Sequence, residues 1–146
     1  MQISTSRFGT LAIEPNDIFE FSQGMPGLEN LRGWVLLSDA ENEFLGWLQS
    51  VECSDAALAV VNPRQFVPDY RVRVARRSLS ALGLTDVGGA KILAIVGKSG
   101  ANLTLNLKAP LVLNIENRRG GQVVVNDEYP MRYELGPRPA ILKKAA

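Results

Sequence analysis

The feature that most constrains this chain is a two-residue alternation of apolar and polar side chains, which recurs over most of its length. Successive strand residues point to opposite faces, so this is the pattern of strands with one buried and one solvated side. Tyr70, Val72 and Val74 alternate with Arg71 and Arg73, and Leu103, Leu105 and Leu107 alternate with Thr104, Asn106 and Lys108. After Pro110, the residues Leu111, Leu113 and Ile115 share one side, and Asn114 and Glu116 belong to the other.

Further strands are expected over Gly9 to Glu14, Ile18 to Phe21, Gly33 to Leu37, Glu43 to Ser50 and Ala57 to Val61, each bounded by Gly, Pro, Asn or Asp. Ala90 to Val96 is a continuous apolar run broken only by Lys91, consistent with burial on both faces. Asn117-Arg118-Arg119-Gly120-Gly121 reads as the turn of a hairpin running from Leu111 to Asn126, because glycine supplies the positive φ angles that tight connections need. Gly97 to Ala101 reads as another turn. It lacks the long helix that must follow a phosphate-cradling loop.

Helical spacing is scarce: the one convincing candidate is Arg77 to Leu82, with Leu79 and Leu82 on one face and Gly83 as the stop. About 8–11 short strands separated by turn signals predict an all-β chain, an antiparallel barrel-like single domain with one or two short connecting helices. Residues 1–135 are assigned to that domain. The stretch from Gly136 to Ala146, rich in proline and then lysine, is expected to be a flexible basic tail, with a docking peptide as the alternative.

The chemistry available narrows the function. There is no histidine, which removes histidine-based triads, and one cysteine, Cys53, which leaves neither a disulfide nor a structural zinc set. No catalytic residue, metal site or cofactor is expected. Sixteen basic and fifteen acidic residues leave +1 overall, so no global field draws the chain to nucleic acid. Asp39 to Glu43 reads as a solvated turn. The first residues lack the apolar run of a signal peptide, and no stretch approaches the roughly 20 apolar residues of a membrane span, which points to a cytoplasmic protein.

What remains is binding. Trp34 and Trp47 fall within strands and are expected in the core. Phe66, Asp69 and Tyr70 lie in or beside a loop-like stretch with two prolines, and Arg118 and Arg119 fall at the hairpin tip. These five residues are the candidate partner contacts, with an inward-facing Tyr70 as the competing reading.

The ordered motifs resemble the flagellar assembly factor family FliW. They are Phe21-x-x-Gly24-Met25-Pro26-Gly27-Leu28, Leu48-Gln49-Ser50, Ala59-Val60-Val61-Asn62-Pro63 running into Asp69-Tyr70, and Leu107-Lys108-Ala109-Pro110-Leu111-Val112-Leu113-Asn114. Arg119-x-Gly121-Gln122 and Tyr129-x-x-Arg132-x-x-Leu135 complete the set, so the resemblance spans nearly the whole chain. Leu28 stands where the family more often has phenylalanine. The resemblance implies a β-barrel protein, monomeric when free, that binds flagellin in the cytoplasm and alternatively binds the translational regulator CsrA. It implies allosteric antagonism of CsrA, coupling flagellin translation to secretion. A flagellin-only secretion chaperone and a small-ligand-binding barrel are the competing readings.

Overall fold

In the computed structural model, which describes residues 1–136, the chain forms eleven strands and one short α-helix. The strands are β1 (Gln2–Thr5), β2 (Gly9–Ala12), β3 (Ile18–Glu20), β4 (Gly33–Ser38), β5 (Leu45–Ser50), β6 (Ala57–Val61), β7 (Ala90–Ser99), β8 (Asn102–Leu105), β9 (Leu111–Asn114), β10 (Arg119–Gln122) and β11 (Tyr133–Gly136). The helix α1 covers Arg76–Ala81.

Seven strands close a barrel in the order β7, β6, β5, β4, β3, β10, β9 and back to β7. Closure is possible because β7 is ten residues long and divides its partners: Ala90 to Leu93 pair with β9, Ala94 and Ile95 with β6, and Val96 to Ser99 with β8. Beyond the barrel, β8 and β11 extend this strand into a flap. The β1–β2 hairpin lays Ile3 and Ile13 over Val35 on the outer face of β4. The pairings are antiparallel except at β3–β10, a parallel contact with the single register pair Arg119–Glu20.

Residues directly opposite across a ladder share a face, so the register defines the interior. Phe19, Trp34, Leu48, Val60, Leu93, Leu111 and Leu113 point inward and pack with Phe21 and Met25. Trp34 is fully buried, and its indole N–H donates to the Leu31 carbonyl at 3.1 Å. The interior is therefore a packed core. Residues 21–32, which connect β3 to β4, fold over one end and push Met25 into it, with Gly24 and Gly27 at φ of 67° and 83° making the turns. A Cβ on Gly24 would sit 2.7 Å from the Glu29 Cα, which explains why glycine occupies that place in the Phe21-to-Leu28 motif.

Several expectations are corrected. Tyr70 to Val74 is extended and alternates as read, but it joins no sheet ladder; the Arg73 carbonyl accepts from the Asn126 N–H and the Arg71 N–H donates to the Tyr129 hydroxyl. The hairpin after Pro110 turns at residues 115–118, and the two glycines belong to β10, not to the turn. The role of Gly120 is space: a Cβ there would lie 2.5 Å from Phe21 and 2.7 Å from Leu113. Asn114 is buried, not solvated, because Leu82 beyond the end of α1 covers the outer face of β9, and the Asn114 amide donates to the Leu82 carbonyl at 2.8 Å. Of the expected tail, Gly136 ends β11 and residues 137–146 lie outside the described residues.

Replacing Gly120 by alanine is expected to destabilise the protein by about 1–3 kcal/mol, the usual cost of overpacking a filled core. Urea unfolding followed by tryptophan fluorescence measures this, with Gly121→Ala, whose Cβ meets nothing closer than 3.5 Å, as the milder control.

Candidate binding surface

The strand directions place one set of connections at the end of the barrel opposite the Met25 plug. The starts of β3, β5, β7 and β10 and the ends of β4, β6 and β9 all lie there. Two open depressions of about 480 and 420 Å³ occupy this end and meet at Leu36, Leu37 and Lys91. Phe19, Ile115 and Arg118 wall the first, and Phe44, Val60, Asn62 and Gln65 wall the second.

Lys91 marks the mouth. It has the same parity as the inward-facing Leu93 and pairs with Leu113, so its side chain belongs to the interior face. At the first turn of the barrel a charged group of that parity can reach water, and Lys91 is exposed. Its ammonium has no hydrogen bond or ion pair among the described residues. Phe44 and Ile115 are also exposed here, at 36% and 45%. None of these three residues was singled out from the sequence. The lysine interrupting the apolar run of β7 was the available signal, since a charge of interior parity must sit at a strand end.

The five candidate contacts separate into two groups. Phe66 follows the short 3-10 turn Pro63–Gln65, which is started by the Asn62 side chain accepting from the Arg64 N–H at 3.0 Å. Its ring is half-buried against the cluster of Leu45, Val61 and Ala94 on the outer face of the barrel. Asp69 is exposed. Tyr70 takes the inward-facing alternative and is no surface contact: at 1% exposure it is core, with its hydroxyl donating to the Leu107 carbonyl at 2.6 Å and its ring edge-on to Tyr129 at 4.7 Å. Burial pushes its phenol well above the usual range, so it remains the neutral donor that this bond requires.

Arg118 and Arg119 sit at the other side of the open end. Arg118 is the one non-glycine residue at positive φ among the described residues, at 58°. It is only half-exposed, because it forms the barrel seam. Its Nε donates to the Asn16 carbonyl at 2.6 Å, its guanidinium lies 4.5 Å over the Phe19 ring, and its carbonyl accepts from the Glu20 N–H at 2.8 Å. Arg119 is exposed and is the freer of the two.

A third exposed feature lies on the outer face of β5. Trp47, expected in the core, is half-buried there, with Arg7 stacked 4.0 Å over its ring and Phe8 edge-on at 6.2 Å. Its indole N–H donates to Asp39 at 3.0 Å and holds that carboxyl below its ordinary range. Asp39 also accepts from the Glu41 and Asn42 N–H groups, so the acidic turn is built around it. Among the described residues there is no cluster of three or more side chains able to hold a metal, and no helix is long and apolar enough to cross a membrane.

The chain is thus a closed β-barrel with a filled interior, and exposed apolar and cationic groups surround two open depressions at one end. The sequence pattern of the FliW protein family matches residues 2–135. Similar curated relatives include the flagellar assembly factor FliW of Bdellovibrio bacteriovorus, 40% identical over 129 residues and covering 87% of this chain and 74% of that one. The flagellar assembly factor FliW of Caldanaerobacter subterraneus is 34% identical over 139 residues, covering 92% and 93%. A crystal structure of the flagellar assembly factor FliW superposes with a TM-score of 0.85 at 30% identity, covering 94% of this chain and 98% of that one. The chain belongs to the FliW family of flagellar assembly factors.

Tyr70→Phe is expected to cost about 1 kcal/mol, or somewhat more because the buried Leu107 carbonyl loses its partner. Arg118→Ala is expected to cost about 1–2 kcal/mol through the lost hydrogen bond and cation–π contact. Thermal and urea unfolding of the two variants measure these values.

Proposed function

We propose that this chain is a cytoplasmic, non-enzymatic regulator of flagellum assembly, monomeric when free, that binds flagellin and alternatively CsrA. The observation that carries the proposal is membership of the FliW family along residues 2–135. In this reading the protein antagonises CsrA while flagellin is being exported, and accumulating flagellin captures it and releases CsrA to repress translation.

The partner switch needs two thermodynamic conditions. Binding one partner must exclude the other, and flagellin must cross its dissociation constant within the cell's working range. Allosteric antagonism adds a third: the protein must prefer the RNA-free state of CsrA, because equal affinity for both states shifts nothing. None of these conditions requires a reacting group. A flagellin-only chaperone meets the second without the first or third. The filled interior counts against a small-ligand barrel, since Trp34, Leu48, Leu111 and Leu113 already occupy the space a ligand would take.

Within this proposal the contacts come from the open end and its loops, with Phe66, Asp69, Arg118 and Arg119 as contact residues and Tyr70 as the anchor of the loop that carries the first two. Lys91, Phe44 and Ile115 extend that surface. Calorimetric titration with flagellin and with CsrA tests the reading, followed by competition between them. Mutual exclusion is expected, together with weakening of at least one affinity by about tenfold in a Phe66→Ala, Arg119→Ala variant that still folds. A stable ternary complex would remove the switch. Unchanged affinities would remove this site.

A further inference from the structure

Four arginines stand within seven consecutive residues, Arg71, Arg73, Arg76 and Arg77, without an acid among them. With these four removed, the chain's net charge of +1 becomes −3, so the strip concentrates positive charge on an otherwise acidic molecule. All four side chains are exposed. Arg73 approaches Asp127 at 3.9 Å, a long and largely solvated contact. The other three guanidiniums have no side-chain partner among the described residues.

Fold stability does not account for this placement. Arg76 and Arg77 occupy the first turn of α1, where the helix dipole favours acids and where none is present. The six-residue helix is too short to recognise an anion through its own N–H groups, so the guanidiniums are what the strip offers. The backbone beneath them is held in place. Val72, Leu79 and Leu82 are buried, the Arg73 carbonyl accepts from Asn126, and the Arg71 N–H donates to Tyr129.

Arg71 and Arg73 are exposed and alternate with the buried Tyr70 and Val72, so they project from the same side of the segment, with about 6–7 Å between their Cα atoms at a strand-like rise per residue. That is also the separation of alternate side chains on another extended chain. Guanidinium forks accept carboxylates two bonds at a time, so side chains spaced this way match acids at every second position.

We infer that the Arg71–Arg77 strip is a docking surface for an extended acidic segment of a partner protein, with carboxylates at alternate positions. Nucleic acid fits the strip less well. The rings beside the strip, Tyr70 and Tyr129, are buried or half-buried and packed edge-on against each other, so neither offers an exposed platform for bases. Asp69, Asp127 and Glu128 flank the strip and would repel a continuous phosphate backbone. None of the four arginines lines the two depressions of the open end, so the inference goes beyond the proposed function and does not rely on it.

The test is fluorescence anisotropy of the full chain with a labelled peptide of alternating glutamate and threonine, run beside its glutamine counterpart and an oligouridylate. Binding of the glutamate peptide alone is expected, weakening markedly between low salt and about 150 mM salt. The R71Q/R73Q/R76Q/R77Q variant is expected to bind about tenfold or more weakly, and Lys98→Gln to bind as the parent does. An R71Q/R77Q variant, which keeps the Arg73–Asp127 contact, gives a partial loss and covers the case in which the fourfold variant is unstable. No binding of the glutamate peptide, equal binding of the glutamine peptide, unchanged binding by both variants, or tighter binding of the oligouridylate would each overturn the inference.

Discussion

The barrel depends on how one short seam is made. Six of its seven junctions are antiparallel ladders, but β3 and β10 meet in parallel through a single register pair. A junction with so little backbone pairing needs side chains to hold it. Arg118 supplies them, tying β10 to the Asn16 carbonyl and the Phe19 ring from a backbone conformation that side-chain-bearing residues seldom adopt. Directly beyond it, Gly120 leaves the space that Phe21 fills. Sequence, seam and core are coupled at this point: the arginine closes the sheet, and the glycine lets the closed sheet pack.

Closure has a consequence for function. A closed barrel presents no sheet edge along its girth, so recognition falls to its ends, to elements laid on its outside and to the β8–β11 flap. One end is stoppered by Met25 and the residues around it, and the other leaves Lys91, Phe44 and Ile115 in contact with water. The filled barrel leaves no room to enclose a small molecule, and its one open end is mixed apolar and cationic. The arginine strip adds a second surface with a different chemistry, charge without apolar content.

Tyr70 shows how a buried residue can fix an exposed loop. Its hydroxyl secures the Leu107 carbonyl, its backbone carbonyl accepts from the Arg64 side chain, and its ring packs on Tyr129. These contacts fix the loop that carries Phe66 and Asp69. Cutting them would loosen both residues at once.

Much of this architecture was legible from residue order. Alternation located most of the strands, Leu79, Leu82 and Gly83 located the helix and its stop, and Ala57 to Val61 matched β6 residue for residue, because side-chain parity and local backbone preference are properties of neighbouring residues. Strands β1 and β11 escaped notice since their sequences are short and weakly patterned. The rest was decided by contacts between residues far apart in the chain. Tyr70 to Val74 has strand alternation but found no ladder partner, Asn114 was buried by Leu82, and two glycines that read as a turn became strand residues, Gly120 leaving the space that Phe21 fills. Local pattern determines which face of a segment is apolar. Only tertiary packing decides what covers that face, and therefore which polar residues remain on the outside to meet a partner.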